Sequence, residues 1–299
     1  MHNKYCLTQG ENLFLAKKRW AESIYCGMRM ENRNVTFPQT QTILDGINVA
    51  GVALDDIQAI LNMRDAWKYL LAHIGDTLDI DYLCALQERV AYREALSWGE
   101  LRGGSVGISG VKYIPPVPDA TVVGQELSQL AAAQLSTTEI ALNTFAWIAR
   151  SQLFWDGNKR TALLAANKIL IEGGAGILLV PDEAMVAFST LLSDYYETGY
   201  ATQLRLFLYE SCIFGIDASL PGGAKPMPSP DEDRVVILEN KRTAVWLKHA
   251  RRTQNITQKA LAQAIGVSTS AIANIEQEQR KGSNEVWARI EQYFDKTCV

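Results

Sequence analysis

Seven residues, Phe154-Trp155-Asp156-Gly157-Asn158-Lys159-Arg160, hold a carboxylate, a carboxamide and two cations around one glycine. Lys and Arg side chains at this spacing suit phosphate oxygens, which take charge-assisted hydrogen bonds from both. A single Asp beside them suits magnesium once phosphates share the ion. An Asp-Gly-Asn turn alone is also an ordinary polar connection between helices.

The flanking sequence decides where such a loop would stand. From Glu139 to Ser151, the residues Ile140, Leu142, Phe145, Ile148 and Ala149 recur with helical period. From Lys159 to Glu172, Ala162, Leu163, Ala166, Ile169 and Leu170 do the same. Asp156, Gly157 and Asn158 end the first helix and start the second. The loop therefore sits at a helix N-terminus, where unpaired N–H groups and the positive dipole end favour an anion. Lys159 and Arg160 stand against that dipole, as expected if a phosphate compensates them.

The string from Phe154 to Ala162 resembles the core of the Fic/Doc family, His-x-Phe-x-(Asp/Glu)-(Gly/Ala)-Asn-(Gly/Lys)-Arg. Most characterised Fic proteins transfer AMP from ATP to a protein hydroxyl. Doc, which shares the Asn-Lys-Arg-Thr-Ala ending, transfers phosphate. The resemblance implies a nucleotide site at Asp156, Gly157, Asn158, Lys159 and Arg160, with ATP and with magnesium at Asp156. Its catalytic positions would be Gln152, Asp156 and Arg160. Three positions of the family pattern differ here. The family's His falls on Gln152, followed by Leu153 in place of Pro, and its second Arg falls on Leu163. In the family the His is the general base, and Gln has no titratable lone pair. Loss of such a base costs a factor of about 100 to 10,000. The chain's histidines are His2, His73 and His249, none near the loop in sequence.

Two further segments extend the resemblance. Gly27-x-x-x-Glu31-Asn32 resembles the Fic inhibitory motif, which implies a regulatory Glu31. The family's Glu pairs with the second Arg, here Leu163, so Glu31 is expected to lack its partner. The alternative is a solvated Glu at a helix end. Residues 106–114 alternate around Ser109-Gly110 and read as a β-hairpin. They resemble the Fic flap, which implies a protein target held there by strand addition.

The other segments read as helices: 11–30 as one amphipathic helix, then helices near Pro38–Leu44, Asp55–His73, Asp79–Tyr92, Thr121–Leu135, Asp182–Glu197 and Tyr200–Phe214. The fold class expected is all-α, a Fic-like helical body with a small β-hairpin flap plus a small helix-turn-helix domain. At 299 residues, about two domains are expected. No apolar run reaches membrane-spanning length and no signal pattern opens the chain. Five scattered cysteines, with no Cys-x-x-Cys pair, favour reduced thiols in a cytoplasm over a zinc site.

Residues 217–233 are rich in Pro and acids and read as a linker between a body, 1–216, and a tail, 234–299. The tail holds 11 Lys/Arg against 6 Asp/Glu; residues 1–233 hold 18 against 27. A basic unit on an acidic body points to an anionic partner for the tail. Val235–Glu239 reads as a lead-in and Thr243–Arg252 as a basic helix. Thr257 and Ser268 are N-caps of two short helices joined at Gly266, a helix-turn-helix. This stretch resembles the lambda-repressor/Cro family, including Glu276 after the second helix. The resemblance implies a homodimer on DNA, with Gln258 at the backbone and Ser268, Thr269, Ser270 and Asn274 facing the groove. Trp287, Ile290, Tyr293 and Phe294 would complete the core. The first reading is a cytoplasmic DNA-binding regulator whose Fic-like body transfers AMP weakly or not at all. The others are a transferase moving AMP or phosphate without a His base, and a scaffold that binds no nucleotide.

Overall fold

Caps written in the sequence start most of the helices. The Oγ1 of Thr8 and of Thr36 accepts from the backbone three residues on, and Glu11 and Gln39 return the bond, forming two capping boxes. Asp79, Asp119 and Ser136 cap three further helices through their side-chain oxygens. The computed structural model describes residues 1–216, 247, 251, 256–277 and 282–296. The linker 217–233 and the lead-in Val235–Glu239 lie outside them. So does the basic helix Thr243–Arg252, apart from Leu247 and Arg251. The chain separates into two units, Met1–Met227 and Pro228–Val299.

The first unit contains α1 (Gln9–Lys18), α2 (Trp20–Met30), α3 (Phe37–Leu44), α4 (Leu54–Ala72), α5 (Ile80–Val90), α6 (Ala120–Ala132), α7 (Thr137–Ser151) and α8 (Asn158–Glu172). After these come β1 (Ile177–Leu178), a 3₁₀ turn at Asp182–Ala184, α9 (Met185–Thr198), α10 (Thr202–Cys212) and β2 (Ile213–Phe214). Helices α7 and α8 pack against each other more extensively than any other pair, and α5, α4, α1 and α2 also pack on α8. Helix α8 is therefore the axis of the body. Twelve of its fifteen residues are buried, including polar Asn158, Arg160, Asn167 and Lys168. Asn167 is satisfied by the Leu163 carbonyl and by both backbone groups of Leu178, which ties β1 to the axis.

Two expectations are corrected. The segment 11–30 is two helices, broken at Arg19 (φ −107°, ψ 14°). There the guanidinium donates to Glu22 at 2.9 Å and lies 4.5 Å over the ring of Phe214. Residues 106–114 form no strand ladder. The turn is present, with Val111 N–H donating to the Ile108 carbonyl at 3.1 Å. The next donor, Lys112 N–H, goes to the Glu197 carboxylate at 2.8 Å rather than across a hairpin. Gly107, Gly110, Pro115 and Pro116 weaken pairing on both sides. Among the described residues the one sheet is β1 with β2, antiparallel, pairing Ile177 with Phe214 and Leu178 with Ile213.

The second unit holds α11 (Gln258–Ile265), α12 (Thr269–Glu276) and α13 (Asn284–Lys296). Leu247, Leu261, Ala262, Ile265, Ile272, Ile275, Trp287, Ile290 and Phe294 form its core. Gly266 takes φ +71° at the turn, a conformation costly for residues with a Cβ. Ala262 is buried where α11 meets α12, and its small side chain permits the close crossing. No helix among the described residues is long and apolar enough to cross a membrane.

Candidate functional site

The loop between α7 and α8 is closed by Asn158. Its Oδ1 accepts from Phe154 N–H at 2.9 Å and its Nδ2 donates to the Phe154 carbonyl at 2.8 Å. A carboxamide, with one acceptor and two donors, is the side chain that can satisfy both backbone groups at once. Gly157 takes φ +75°, and a Cβ there would meet Val90 Cγ1 at 2.9 Å. Both the conformation and the packing therefore require glycine. The first intrahelical bond runs from Thr161 N–H to the Gly157 carbonyl at 2.8 Å. The N–H groups of α8 before Thr161 thus begin the helix without intrahelical acceptors.

Gln152 ends α7 in the left-handed region, at φ 47° and ψ 56°. Its side chain turns inward. Nε2 donates to the Ala149 carbonyl at 2.6 Å, and Oε1 accepts from Asn158 Nδ2 at 3.2 Å. Gln152 is thus a brace for the loop.

Asp156 is half exposed at the loop mouth. One oxygen accepts from Gly157 N–H at 2.6 Å and lies 3.8 Å from Arg160. No group of three or more His, Cys, Asp or Glu that could hold a metal occurs among the described residues. A magnesium ion here would have Asp156 as its protein ligand and take its other oxygens from phosphates and water.

The two cations are engaged. Lys159 Nζ donates to the Met30 carbonyl at 2.6 Å and lies 3.1 Å from Glu31 Oε2. Arg160 is 1% exposed. Its Nη1 donates to the Val90 carbonyl and to both oxygens of Glu94, at 3.1, 3.0 and 3.2 Å. Its Nε lies 3.7 Å from Glu31 Oε1. Burial works against the Arg160 charge, yet Glu31, Glu94 and Asp156 together hold its pKa above the ordinary arginine value. Glu94 is held in turn by Asn62 Nδ2 at 2.8 Å and by Arg33, which also reaches Asp56 at 3.0 Å.

Glu31 therefore has partners, Lys159 and Arg160, and the expectation that it lacks one is corrected. The reason is that α2 ends against the first turn of α8. Gly27 permits this, because a Cβ there would stand 2.7 Å from Met63 Cε and 3.7 Å from Arg160 Cγ. Leu163, one turn further along α8, is fully buried and apolar.

Sequence reasoning missed Glu94 and Arg102. Arg102 is buried and bonds only to carbonyls: Gln152 at 2.5 Å, Pro116 at 2.6 Å, Pro115 at 3.3 Å, and Gly104. Its own N–H donates to the Leu153 carbonyl at 3.0 Å. One side chain thus fastens both ends of residues 104–116 to the loop. Gly104 makes room for the Trp155 ring, 2.7 Å from where a Cβ would be. Beyond the fastening, Arg150 lies 3.6 Å over the Tyr113 ring. A cavity of about 490 Å³ opens there, lined by Pro116, Trp147, Leu153 and Tyr195 among others. No local pattern marks either residue; each is one charge in an irregular loop.

In the second unit, Ser268, Thr269 and Ser270 are exposed and Asn274 is half-buried. Ser268 Oγ caps α12, accepting from Ala271 N–H at 3.2 Å, and lies 3.0 Å from Ser270 Oγ. Gln258 Nε2 donates to Glu276 at 2.7 Å. Glu276 also takes a two-point bond from Arg251, at 2.7 and 3.0 Å. Arg251 further donates to the Ile256 carbonyl at 2.7 Å. This triad fixes the start of α11 against the end of α12.

Comparison with known proteins agrees with both halves. Residues 77–170 match the Fic/DOC family and residues 247–299 match a helix-turn-helix family. The chain thus carries a Fic-type domain and a helix-turn-helix domain. Protein adenylyltransferase Fic of Drosophila sechellia is 29% identical over 177 residues, covering 56% of this chain and 35% of that protein. The Drosophila virilis protein of the same name is 28% identical over 177 residues, 56% of this chain and 36% of that protein. The chain thus spans about a third of the length of the curated relatives it matches. In fold, the body is similar to Fic-1 (residues 134–508) of C. elegans, with TM-score 0.54, 20% identity, and 66% of this chain and 60% of that chain covered. It is also similar to a Fic domain containing signaling protein from Bacteroides thetaiotaomicron, with TM-score 0.54, 17% identity, and 68% and 85% covered.

Proposed function

We propose that the chain is a DNA-binding regulator whose Fic-type body binds a nucleotide with magnesium and transfers AMP weakly or not at all. The observation that carries this is the position of Gln152. Its amide is spent on Ala149 and Asn158, and it has no lone pair with a useful pKa. The described histidines are occupied elsewhere, His2 with Tyr209 and His73 with Asp76; His249 lies outside the described residues.

What remains is binding. The α8 N-terminus offers backbone donors, Lys159 a cation near the surface, and Asp156 a carboxylate for magnesium. A bound magnesium would neutralise phosphate charge. Residues 104–116 run beside the loop without a strand ladder, and an extended protein segment added there would take Lys112 N–H from the Glu197 carboxylate. The relatives named adenylyltransferases support nucleotide as the ligand class. The helix-turn-helix, with its exposed Ser268–Ser270 and the basic balance of the tail, supports DNA as its partner, bound by a homodimer.

The test is labelling of cell lysate with labelled ATP. The native chain gives labelling at or near background. Gln152→His restores the base at a left-handed position that His tolerates better than most residues, and raises labelling by a factor of about 100 or more. Strong labelling by the native chain, abolished by Arg160→Ala, would overturn the proposal.

A further inference from the structure

Resting on the reading of residues 104–116 as the edge that meets a protein target, we infer that Arg150 anchors an acidic side chain of that target. The target is then an extended segment carrying an Asp or Glu beside a bulky apolar residue.

Arg150 is held firmly, but by only part of its guanidinium. Its Nε donates to the Tyr195 and Tyr196 carbonyls of α9, both at 3.2 Å. The Tyr113 ring lies 3.6 Å away, stacked on the guanidinium. Gly199 leaves it room, since a Cβ there would stand 3.4 Å from both Cζ and Nη2. Among the described residues, Nη1 and Nη2 have no hydrogen-bond partner and no paired carboxylate. Their N–H groups lie in a fixed plane, the arrangement that takes a carboxylate at two points.

Arg150 lines the cavity of about 490 Å³ together with Ser151 and Leu153, the neighbours of Gln152. The cavity therefore borders the loop. Two acids also line it, and both are engaged. Asp119 caps α6 through the Thr121 and Val122 N–H groups. Glu126 accepts from Trp147 Nε1 at 2.9 Å. A carboxylate brought by a partner thus meets an unpaired cation and has no existing pair to break. Much of the remaining wall is apolar, and its Val117 and Val122 are half-exposed. A bulky apolar side chain would cover them.

Main-chain pairing cannot supply the contact here. Pro115, Pro116 and Pro118 have no N–H, so strand addition along residues 104–116 ends before the cavity. A target segment that runs past Tyr113 must be held by its side chains. Sequence preference is therefore set at Arg150.

The experiment is selection from a phage library of short random peptides, joined to the phage by their C-termini so that side chains supply the carboxylates. The baits are the full native chain and Glu197→Ala, which frees Lys112 N–H. The recovered peptides share an Asp or Glu beside a bulky apolar residue. The best of them, titrated by fluorescence polarisation, loses affinity by about tenfold or more when its acid is changed to the amide. Arg150→Gln gives the same loss. Arg150→Glu turns the selection toward Lys or Arg at that position, which a purely structural arginine would not do. Circular dichroism verifies that each variant is folded; where one is not, the acid-to-amide change on the native chain decides. Peptides with no acid in common would overturn the inference and leave strand addition intact, and a shared proline run would assign the cavity to polyproline segments instead. An amide peptide that binds within about threefold of the acid one, or a folded Arg150→Glu that still selects acids, would also overturn it. If neither bait enriches a peptide, the reading of residues 104–116 itself fails and the inference falls with it.

Discussion

The two candidate binding surfaces are built in opposite ways. In the body, the groups expected to meet ligand are already bonded to the protein: Lys159 to Met30 and Glu31, Arg160 to Val90 and Glu94, Asn158 to Phe154. In the tail, Ser268, Thr269 and Ser270 lie exposed, and of the residues expected at DNA Gln258 is held, by Glu276, which also takes Arg251. A motif's charged residues can thus be consumed in shaping a loop. A recognition helix instead pairs its structural charge with another and leaves reading side chains exposed.

The largest effect that can break this comparison is on DNA. An open surface on a basic unit draws affinity from phosphate contacts and counterion release. Raising salt from 50 to 200 mM should weaken specific binding by the full chain by about 10³-fold, read by gel shift on a short inverted repeat. Asn274→Ala should relax preference at one base per half-site. Absence of binding even at low salt would make the tail a protein-contact module and remove the contrast.

Next comes the body's ion network. Glu94→Ala leaves Arg160 and Arg33 short of a buried acid and should cost about 3–5 kcal/mol of body stability. Urea unfolding followed by tryptophan fluorescence reads it. A loss below about 1 kcal/mol would mean that the network is solvated and its cations are available after all.

These two outcomes mark what the sequence made legible. Caps and periodicity placed α7 and α8 correctly, because a helix start is decided within four residues. Gly157 and Asn158 were readable as a turn for the same reason. Glu94 and Arg102 were not, since the partners that bring them to the loop, Arg160 and Gln152, lie 50 or more residues away and their own surroundings have no period. The flap was read as a hairpin from alternation around Ser109-Gly110 and from its resemblance to the family's flap, but a strand needs a partner edge, and Glu197 takes one of its donors instead. At the break, Arg19 lies over Phe214, a contact 195 residues away in sequence that no local pattern shows. Glu31 was read through the family's pairing, while the Lys at position 159 offered a nearer partner.

A third effect separates the halves by pH. Burial pushes the thiols of Cys26 and Cys212 up to about 12, and the Tyr25 hydroxyl, by burial and the Asp182 carboxylate, also to about 12. A raised folded pKa gives stability that is complete below the unfolded value, near 8.5 for Cys. It is lost as pH rises from there to the folded value. Between pH 9 and 12 each buried thiol should therefore cost up to about 1.4 kcal/mol per pH unit. Cys26→Ala should flatten that slope. The described residues of the tail hold no cysteine, so the alkaline loss should appear in the body's transition. An equal slope in both transitions would show that a general charge effect, and not the thiols, sets it.

The smallest effect tests whether the tail's open face is as open as it looks. Ser268 was expected to face the groove, yet its hydroxyl caps α12 through Ala271 N–H and leans on Ser270. Thr257 caps α11 in the same way, through Ala260 N–H at 3.1 Å. Ser268→Ala and Thr257→Ala should each cost about 1 kcal/mol of tail stability, the usual price of an N-cap. If capping is all that Ser268 does, the two variants should weaken DNA binding by the same small factor, under temperatures where both are folded. Thr257 is the internal standard, since its loss changes a helix start that presents no base-reading position. A Ser268→Ala loss that exceeds the Thr257→Ala loss by about tenfold, and only on the preferred sequence, would show that the hydroxyl is shared between cap and base. The tail would then resemble the body, with one residue serving structure and ligand at once, and the contrast between the two surfaces would be one of degree.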